Sequence, residues 1–154
     1  MSTKLSIDLR WLCRKDLPEV VAIEKACFSH PFNEDNFTSL LRDRNTIGIV
    51  AENENSRVLG FMIYELRRHS IHILDIAVDS FFFRNGIGSL LLYRLKLKLS
   101  SNSQRKSITI RVKESNLRAL NFFKSEEFIV TKIDRGWYDD SDDDAFFMKY
   151  KIPE

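Results

Sequence analysis

The sequence predicts an α/β fold of the α+β type, in which helices flank a mixed sheet. Segments with a strand pattern outnumber segments with helical periodicity along the 154 residues. Several strand segments follow one another as hairpins, the clearest being the two that enclose the polar turn 53–56. There is no internal repeat and no low-complexity linker. We therefore expect a single domain that covers residues 1–154.

Seven segments have the alternating or continuous apolar pattern of β-strands. In chain order they are 5–12, 47–52, 58–64, 71–78, 107–112, 128–133 and 145–151. The apolar segment 71–78 is the predicted central strand.

Four segments have helical periodicity. Asp16 is a typical N-cap for the first helix, which has Pro18 in its first turn, and Asn33 is a typical N-cap for the second. The third helix covers 87–99 and the fourth 116–125. The residues predicted to face the core are Val20, Val21, Ile23 and Ala26 in the first helix, Phe37, Leu40 and Leu41 in the second, and Ile87, Leu91, Leu95 and Leu99 in the third.

Charge and composition exclude several classes of protein. The 24 basic and 22 acidic residues give a net charge of +2, which is too balanced for the clustered basic face that nucleic acid requires. The two cysteines do not make a disulfide framework, and no apolar run reaches the about 20 residues that span a bilayer. The start of the chain has no hydrophobic signal region, so we expect a cytoplasmic protein that binds neither nucleic acid nor membrane.

The most informative motif is the junction between the strand 71–78 and the helix 87–99. Gly86 and Gly88 lack a Cβ, so an anion can approach the main chain there, and Arg84 adds a positive charge. The first turn of a helix also leaves N–H groups without intrahelical partners. The junction therefore predicts a phosphate or pyrophosphate site, the alternative being a tight turn and no more. The residues after Gly88 match neither a Walker loop nor the dinucleotide fingerprint.

Three motifs, in this order, resemble the GNAT N-acetyltransferases. They are the strand 76–79 followed by the glycine turn, Ser115-Asn116 at the start of a helix, and the segment 144–148 near the end of the sequence. The sequence is similar to the branch that acetylates protein N-termini, which includes ribosomal-protein alanine acetyltransferases. The resemblance covers nearly the whole chain. It implies the GNAT fold, a central mixed and mostly antiparallel sheet flanked by about four helices.

The resemblance also implies acetyl-CoA as the cofactor and CoA as the product. The pyrophosphate would lie on the amides of residues 84–89, the backbone N–H of Val78 would polarise the thioester carbonyl, and Asn116 would contact the pantetheine arm or simply cap its helix. Phe123 would form a wall of the pantetheine channel, or plain core. The implied cofactor-binding residues are Ile76, Ala77, Val78, Arg84, Asn85, Gly86, Ile87, Gly88, Ser89, Asn116 and Phe123.

Proton transfer is the part of the chemistry that needs a new candidate. Where the resembled branch has a general base and a tyrosine acid, this sequence has Arg111 and Phe123, and neither side chain can exchange a proton at neutral pH. His72 lies in the central strand at a position where other members of the family carry the base. We therefore take His72 as the candidate catalytic base. The alternative is a strand histidine satisfied by a backbone or solvent contact.

Phe32 and Tyr138 are the candidate acceptor-binding residues. The pairs Pro31-Phe32 and Trp137-Tyr138 resemble the aromatic residues that flank a peptide N-terminus in the family, the alternative being ordinary loop packing. The acidic run 139–144 either attracts a cationic acceptor or is simply solvated. Since this run lacks the glycine and glutamate of an EF-hand, and the histidines lack a zinc-ligand spacing, no metal site is expected.

We therefore expect an acetyl-CoA-dependent N-acetyltransferase that transfers an acetyl group to a primary amine, with the N-terminus of a protein or peptide as the favoured acceptor. One alternative is a degenerate acyl-CoA-binding module, a sensor or partner subunit in which Arg111 and Phe123 replace the acid–base pair. The other is an acetyltransferase for small amines, which the acidic run favours and the peptide-flanking aromatic residues disfavour.

Overall fold

A computed structural model describes residues 6–101, 104–139 and 143–153, and these form seven strands and four helices. The strands are β1 (Ile7–Trp11), β2 (Thr46–Asn53), β3 (Val58–Leu66), β4 (Ser70–Val78), β5 (Ser107–Lys113), β6 (Ile129–Asp134) and β7 (Ala145–Lys151). The helices are α1 (Leu17–Cys27), α2 (Glu34–Arg42), α3 (Ile87–Ser100) and α4 (Leu117–Ser125). These elements confirm the predicted ones, with ends displaced by one or two residues. The predicted strand residue Leu5 lies outside the described residues.

The strands form a mixed sheet in the order β1-β2-β3-β4-β5-β7-β6. β4 and β5 pair in parallel, from Ser70 opposite Ser107 to Ile73 opposite Ile110. The registers of β1 with β2, β2 with β3, β5 with β7 and β6 with β7 are antiparallel. The prediction of a mixed, mostly antiparallel sheet is therefore confirmed.

The chain forms two compact units. The first consists of the residues up to Glu65 together with Asp75–Arg94, and the second consists of Leu66–Leu74 together with the residues from Leu95 onward. β4 contributes its first half to the second unit and its second half to the first. The single-domain organisation stays a prediction.

In the first unit, Gly48 lets the chain return to the sheet after α1 and α2. The Leu12 N–H donates a hydrogen bond to the Gly48 carbonyl at 2.9 Å. A Cβ on Gly48 would lie 2.9 Å from the Cβ of Leu12, which is closer than two such atoms can approach. The start of β2 therefore needs glycine, and the segment that contains both helices is closed at its two ends.

The N-terminus of α1 differs from the prediction. The Asp16 side chain does not cap the helix. Instead it accepts hydrogen bonds from both terminal nitrogens of Arg10 at 2.8 Å, and one from the Cys13 N–H at 2.7 Å. Arg10 lowers the pKa of Asp16. A bidentate guanidinium outcompetes a helix amide for this carboxylate, so Asp16 closes a 3-10 turn, Arg14–Asp16, before the helix. Pro18 lies in the first turn, as predicted.

The buried face of α1 also differs in part. Val20 and Ile23 are buried as predicted, whereas Ala26 is exposed and Glu24 takes a buried place beside them. Apolar periodicity could not identify Glu24 as buried, because the pattern assigns a charged residue to the solvent side of a helix.

α2 begins as predicted. The Asn33 side chain accepts a hydrogen bond from the Asn36 N–H at 2.8 Å, and the Asn36 side chain accepts one from the Asn33 N–H at 2.9 Å. Phe37 is fully buried, with edge-to-face contacts to Phe32 and Phe61. These rings form the apolar centre of the first unit.

α3 buries the side that its periodicity predicted. The residues on this side are Ile87, Leu91, Leu95 and Leu99. No helix among the described residues is long and apolar enough to cross a membrane.

In the second unit, α4 ends in a Schellman motif. The Phe128 N–H donates to the Phe123 carbonyl at 2.9 Å and the Glu127 N–H to the Lys124 carbonyl at 3.1 Å, while the rings of Phe123 and Phe128 lie 5.2 Å apart. Glu127 adopts φ +72°, the left-handed conformation that glycine adopts without strain. The helix therefore stops at the expected place with a residue that is strained there.

Candidate active site

The loop between β4 and α3 is shaped by Asp79. Its side chain accepts a hydrogen bond from the Phe81 N–H at 3.0 Å, and so caps a 3-10 turn, Ser80–Phe82. The other carboxylate oxygen pairs with Arg57 at 3.2 Å. The Asp79 N–H donates to the Leu59 carbonyl at 2.8 Å, which fixes the end of β4 to β3. The turn that follows therefore starts from an anchored position.

Two left-handed residues then lead the chain into α3. Arg84 has φ +71° and Gly86 has φ +76°. The Leu90 N–H donates to the Gly86 carbonyl at 2.9 Å, so the helix closes its first turn on Gly86. Arg84, Asn85 and Gly86 are exposed, and a Cβ on Gly86 would meet no atom within 4 Å. The predicted glycine turn is thus an open cradle at the start of a helix.

This cradle suits an anion. The N–H groups of Ile87 and Gly88, at the start of α3, have no carbonyl to pair with inside the helix. The helix dipole adds partial positive charge at that end, and among the described residues Arg84 forms no ion pair of its own. The turn therefore keeps the features on which the predicted pyrophosphate site was based, and the site itself stays a prediction. Asn85 and Ser89 lie in the same turn, as predicted.

The end of β4 holds the other predicted residues of the first unit. Ala77 is buried, and its carbonyl lies 3.0 Å from the position that a Cβ on Gly60 would occupy. Ile76 and Val78 are half-buried. The Val78 carbonyl accepts a hydrogen bond from the thiol of Cys27 at 3.4 Å. Burial raises the pKa of that thiol, which therefore stays neutral.

Glu24 and Asp75 form a buried pair of carboxyl groups that the sequence patterns did not single out. They are 3% and 7% exposed, and the two side chains are within hydrogen-bond reach of each other. Burial, and then the Glu24 side chain, raise the pKa of Asp75 well above its ordinary value. An aspartate inside an apolar strand was the available signal, because such acids are rarely buried without a partner.

In the second unit, His72 is buried in β4. Its side chain is 4% exposed, Nδ1 lies 2.7 Å from the Thr109 hydroxyl, and the ring stacks on Phe147 with centroids 6.2 Å apart. These contacts hold the ring in one orientation. They are also what the alternative of a satisfied strand histidine requires.

Arg111 is held by three contacts. Its guanidinium carbon lies 4.0 Å from the Trp137 ring centroid and 5.0 Å from that of Phe147, and Nε pairs with Asp134 at 3.1 Å. Lys132 and then Arg111 lower the pKa of Asp134. Stacking between two rings is a role that guanidinium fills well. At this position the arginine fastens the β6–β7 connection to β5.

Asn116 and Phe123 both have structural roles in α4. The Asn116 side-chain oxygen caps the helix by accepting from the Ala119 N–H at 3.1 Å, so the capping alternative is present. The cap leaves the side-chain NH₂ group of Asn116 as a donor. Phe123 is 2% exposed between Phe122 and Phe128, as the plain-core alternative expects. Their contacts to a cofactor stay predictions.

The acceptor candidates lie in two different connections. Phe32 follows α1, half-buried, with its N–H bonded to Glu24 and its ring 5.6 Å from that of Phe37. Tyr138 follows β6, with the Lys113 amino group 5.0 Å from its ring centroid. Their roles as acceptor contacts stay predictions.

The end of the acidic run is tied to the chain. Asp143 accepts from the Ser115 hydroxyl at 2.8 Å, and Asp144 accepts from the Gly136 N–H at 2.8 Å and from Arg135 at 3.0 Å. The Gly136 N–H and then Arg135 lower the pKa of Asp144. Residues 140–142 of the run lie outside the described residues.

Comparison with known proteins decides the family. The model of the acetyltransferase (GNAT) family matches residues 17–128, which include both predicted helices of the first unit, the cradle and α4. The chain is a member of the GNAT acetyltransferase family. The GNAT fold predicted from the three motifs is therefore confirmed.

Among its relatives is the ribosomal protein bS18-alanine N-acetyltransferase of Escherichia coli, 27% identical over 139 residues, which cover 89% of this chain and 92% of that protein. The crystal structure of the ribosomal-protein-S18-alanine N-acetyltransferase from Escherichia coli superposes with a TM-score of 0.83 at 25% identity, over 96% of this chain and 95% of the other. Ard1 from Thermoplasma volcanium gives 0.84 at 26% identity, over 97% and 99%. The GNAT assignment thus rests on sequence and on fold.

The family assignment also gives the donor. GNAT acetyltransferases use acetyl-CoA, and the place of its pyrophosphate on the turn at Gly86 stays a prediction. As a GNAT N-acetyltransferase, the protein is an acetyl-CoA-dependent enzyme. The predicted activity class and cofactor are confirmed.

Proposed function

We propose that this enzyme acetylates the N-terminal amine of a protein or peptide. The relatives that resemble it over most of its length are named as acetyltransferases of an alanine of ribosomal protein bS18. N-alpha-acetyltransferase 60 of Xenopus tropicalis is 25% identical over 78% of this chain and 58% of that protein. The observation that carries the proposal is this likeness in a chain that also has the anion cradle of residues 84–89.

The donor side of the site has three parts. The N–H groups at the start of α3 and the Arg84 guanidinium hold the pyrophosphate. The NH₂ group of Asn116 hydrogen-bonds to the pantetheine arm while its oxygen caps α4. When bound, acetyl-CoA supplies a thioester as an activated acetyl group. Phe123 supports this side from the core, through the end of α4.

The backbone N–H of Val78 polarises the thioester carbonyl. This role needs no particular side chain, but it needs a fixed main chain, because an oxyanion donor works by preorganisation. The contact of the Cys27 thiol with the Val78 carbonyl and the bond of Asp79 to β3 hold that segment of β4 in place. Ile76 and Ala77 complete the wall of the donor site.

On the acceptor side, Phe32 is the candidate contact for the peptide in the first unit, and Tyr138 is the separate candidate in the second unit. The Phe32 main chain is fixed by Glu24 at 3.0 Å, and its ring is supported by Phe37. A rigid aromatic residue offers a large contact area at a low cost in conformational entropy. His72, in the second unit, stays a candidate base.

The experiment is an acetyl-CoA thiol-release assay with peptides that differ in their first residue, alanine-first and methionine-first sequences among them. The matched control is each peptide with its N-terminus already acetylated. We expect thiol release with the free peptides and none with the blocked ones. Release with blocked peptides would place the acceptor on a side chain, and release with small polyamines alone would favour the small-amine enzyme.

The alternative of a module that binds acyl-CoA without turnover is not what the family assignment supports. Arg111 and Phe123, at the family's acid–base positions, are both held in structural contacts, so proton transfer in this enzyme needs other groups. We place the enzyme in the cytoplasm, because ribosomal proteins, the substrates that the bacterial relatives are named for, are made there.

A further inference from the structure

Two oxygen atoms of the Glu24–Asp75 pair lack a hydrogen-bond partner. Glu24 Oε2 accepts from the Phe32 N–H at 3.0 Å, but among the described residues Glu24 Oε1 and Asp75 Oδ2 accept from no donor. Both atoms are fully buried. Orphaned buried oxygens are rare, because each costs the desolvation that no bond repays. The two oxygens belong to neighbouring carboxyl groups, so a proton shared between the groups would give both oxygens a partner.

The surroundings of the pair favour one shared proton over two full negative charges. Burial favours the neutral form of Asp75, and the neighbouring Glu24 favours it further. A protonated Asp75 donates its hydrogen to Glu24, which leaves the pair with a single negative charge. That charge makes the pair a proton acceptor in a dry place.

Both carboxyl groups belong to the first unit, as do the site candidates Phe32 and Val78. Glu24 bonds to the main chain of Phe32, the acceptor candidate. Asp75 lies in β4 close before Val78, and Cys27, one turn after Glu24 in α1, contacts the Val78 carbonyl. Contacts of α1 thus link the pair both to Phe32 and to the segment of β4 that contains Val78.

We propose that the Glu24–Asp75 pair accepts the proton that the acceptor ammonium must lose before it attacks. This inference rests on the proposed function. The ammonium gives one proton to Glu24, and its nitrogen becomes neutral. The nitrogen then forms a bond with the acetyl carbon, the carbon–sulfur bond breaks, and the leaving thiolate takes up the second amine proton. The pair returns its own proton to solvent when the product leaves.

The other titratable groups near the pair do not compete for this role. Cys27 on α1 is a neutral thiol whose pKa burial raises, and Asp79 after β4 is engaged by Arg57 and by the Phe81 N–H. The donors that the pair meets from the surrounding elements are the main-chain N–H groups of Phe32 and Ile76. Within the first unit, the pair is therefore the group suited to receive a proton at this place.

The test compares Glu24→Gln with Glu19→Gln. Glu19 lies on the same helix and accepts from the Val58 N–H at 2.9 Å, so its variant loses a structural bond of the same chemistry. We expect Glu24→Gln to lower kcat/KM for an alanine-first peptide by about 10²- to 10⁴-fold, and Glu19→Gln to leave it nearly unchanged once folding is checked by melting. Equal effects in the two variants would overturn the proposal.

The pH profile separates a proton acceptor from a structural acid. In Glu24→Gln we expect kcat/KM to keep rising with pH until the acceptor amine is itself deprotonated, and an acceptor amine of low pKa to regain most of the rate. Asp75→Asn should change the acidic limb of the profile, because it removes the carboxyl group whose pKa burial raises. A fall in rate that is the same at every pH and for every amine would assign the pair a structural role.

A third readout does not use turnover. Infrared difference spectra of the unliganded protein at neutral pH should contain the carbonyl band of a protonated carboxyl group, and Asp75→Asn should remove it.

Two outcomes of the thiol-release assay distinguish a failure of the proposed function from a failure of this inference. No thiol release from the unchanged protein would overturn the proposed function and this inference together. Release that His72→Gln abolishes and Glu24→Gln preserves would overturn only the inference, in favour of His72.

Discussion

The buried carboxyl of Asp75 makes stability depend on pH at the residue scale. In the unfolded chain this acid ionises near its ordinary pKa, whereas burial and the Glu24 side chain raise the pKa in the folded chain. Its favourable contribution is therefore complete below the unfolded pKa and is lost as the pH rises toward the folded one. Acids whose pKa is lowered, such as Asp16, act in the opposite direction and at lower pH.

We expect the melting temperature of the protein to fall between about pH 5.5 and pH 8, and Asp75→Asn to reduce that fall. Scanning calorimetry at both values measures the difference, with Glu19→Gln as the control of similar size. An Asp75→Asn variant that keeps the whole pH dependence would show that other groups cause it.

The strained stop of α4 gives a second prediction at this scale. Glu127 holds φ +72° within a complete set of Schellman hydrogen bonds. Replacing it by glycine removes the strain of a Cβ in the left-handed region, so Glu127→Gly should stabilise the protein by about 1 kcal/mol. Urea unfolding measures the gain, and Glu126→Gly, one residue earlier in the motif, is the control that should not be stabilised.

At the scale of elements, α2 contributes to stability mainly through one ring. Phe37 is fully buried against Phe32 and Phe61, whereas Phe81, on the turn after β4, is 86% exposed. Phe37→Ala should cost about 3–5 kcal/mol because it leaves a cavity. Phe81→Ala should change the free energy of unfolding by less than about 0.5 kcal/mol. Similar losses in the two variants would mean that the Phe37 ring is not the centre of this core.

An experiment can distinguish the role of Gly86 in binding acetyl-CoA from its role in relieving backbone strain. Gly86 and Gly136 both have positive φ, and a Cβ on either would meet no atom within 4 Å. Gly86→Ala and Gly136→Ala should therefore cost about the same stability, near 1 kcal/mol each. Only Gly86→Ala should weaken acetyl-CoA binding, by about tenfold or more, in calorimetric titration. Equal affinities would remove the main-chain cradle from the proposed site.

The elements were predictable where their signals are local. Asn33 and its hydrogen-bonded neighbour define the start of α2, and the glycine turn defines the start of α3. Asp16 was misassigned because its partner, Arg10, lies in the preceding strand and a cap rule considers only the following residues. The burial of Glu24 was missed because its partner, Asp75, lies in β4, far along the chain.

For the whole molecule, ligand binding should raise stability by mass action. A ligand that binds only the folded chain stabilises it by about 2.7 kcal/mol at a concentration of 100 times its Kd. Acetyl-CoA should therefore raise the melting temperature in a concentration-dependent way, and Arg84→Gln should reduce the rise at a fixed concentration. Acetate at the same concentration is the control, and an unchanged melting temperature with acetyl-CoA would contradict the assigned donor site.

For the candidate site, too, some parts could be predicted from the sequence and others could not. The cradle could be predicted because glycine, arginine and a helix start are contiguous in the sequence. The Glu24–Asp75 pair could not, because two acids so far apart in sequence carry no mutual signal before they fold together. Arg111 illustrates a middle case, since its residue type excluded a base but only the structure placed it between Trp137 and Phe147.

The closure of the chain at Leu12 and Gly48 separates the connection between α1 and α2 from the strands. Both ends of the segment meet at one hydrogen bond of 2.9 Å, so this connection can change in length while β1 stays paired with β2. Phe32 lies in this connection, and the glycine turn at Gly86 lies outside the segment. Exchanging the connection between related enzymes, with Glu24 and Phe37 kept, is thus a route to a new acceptor preference on an unchanged donor site.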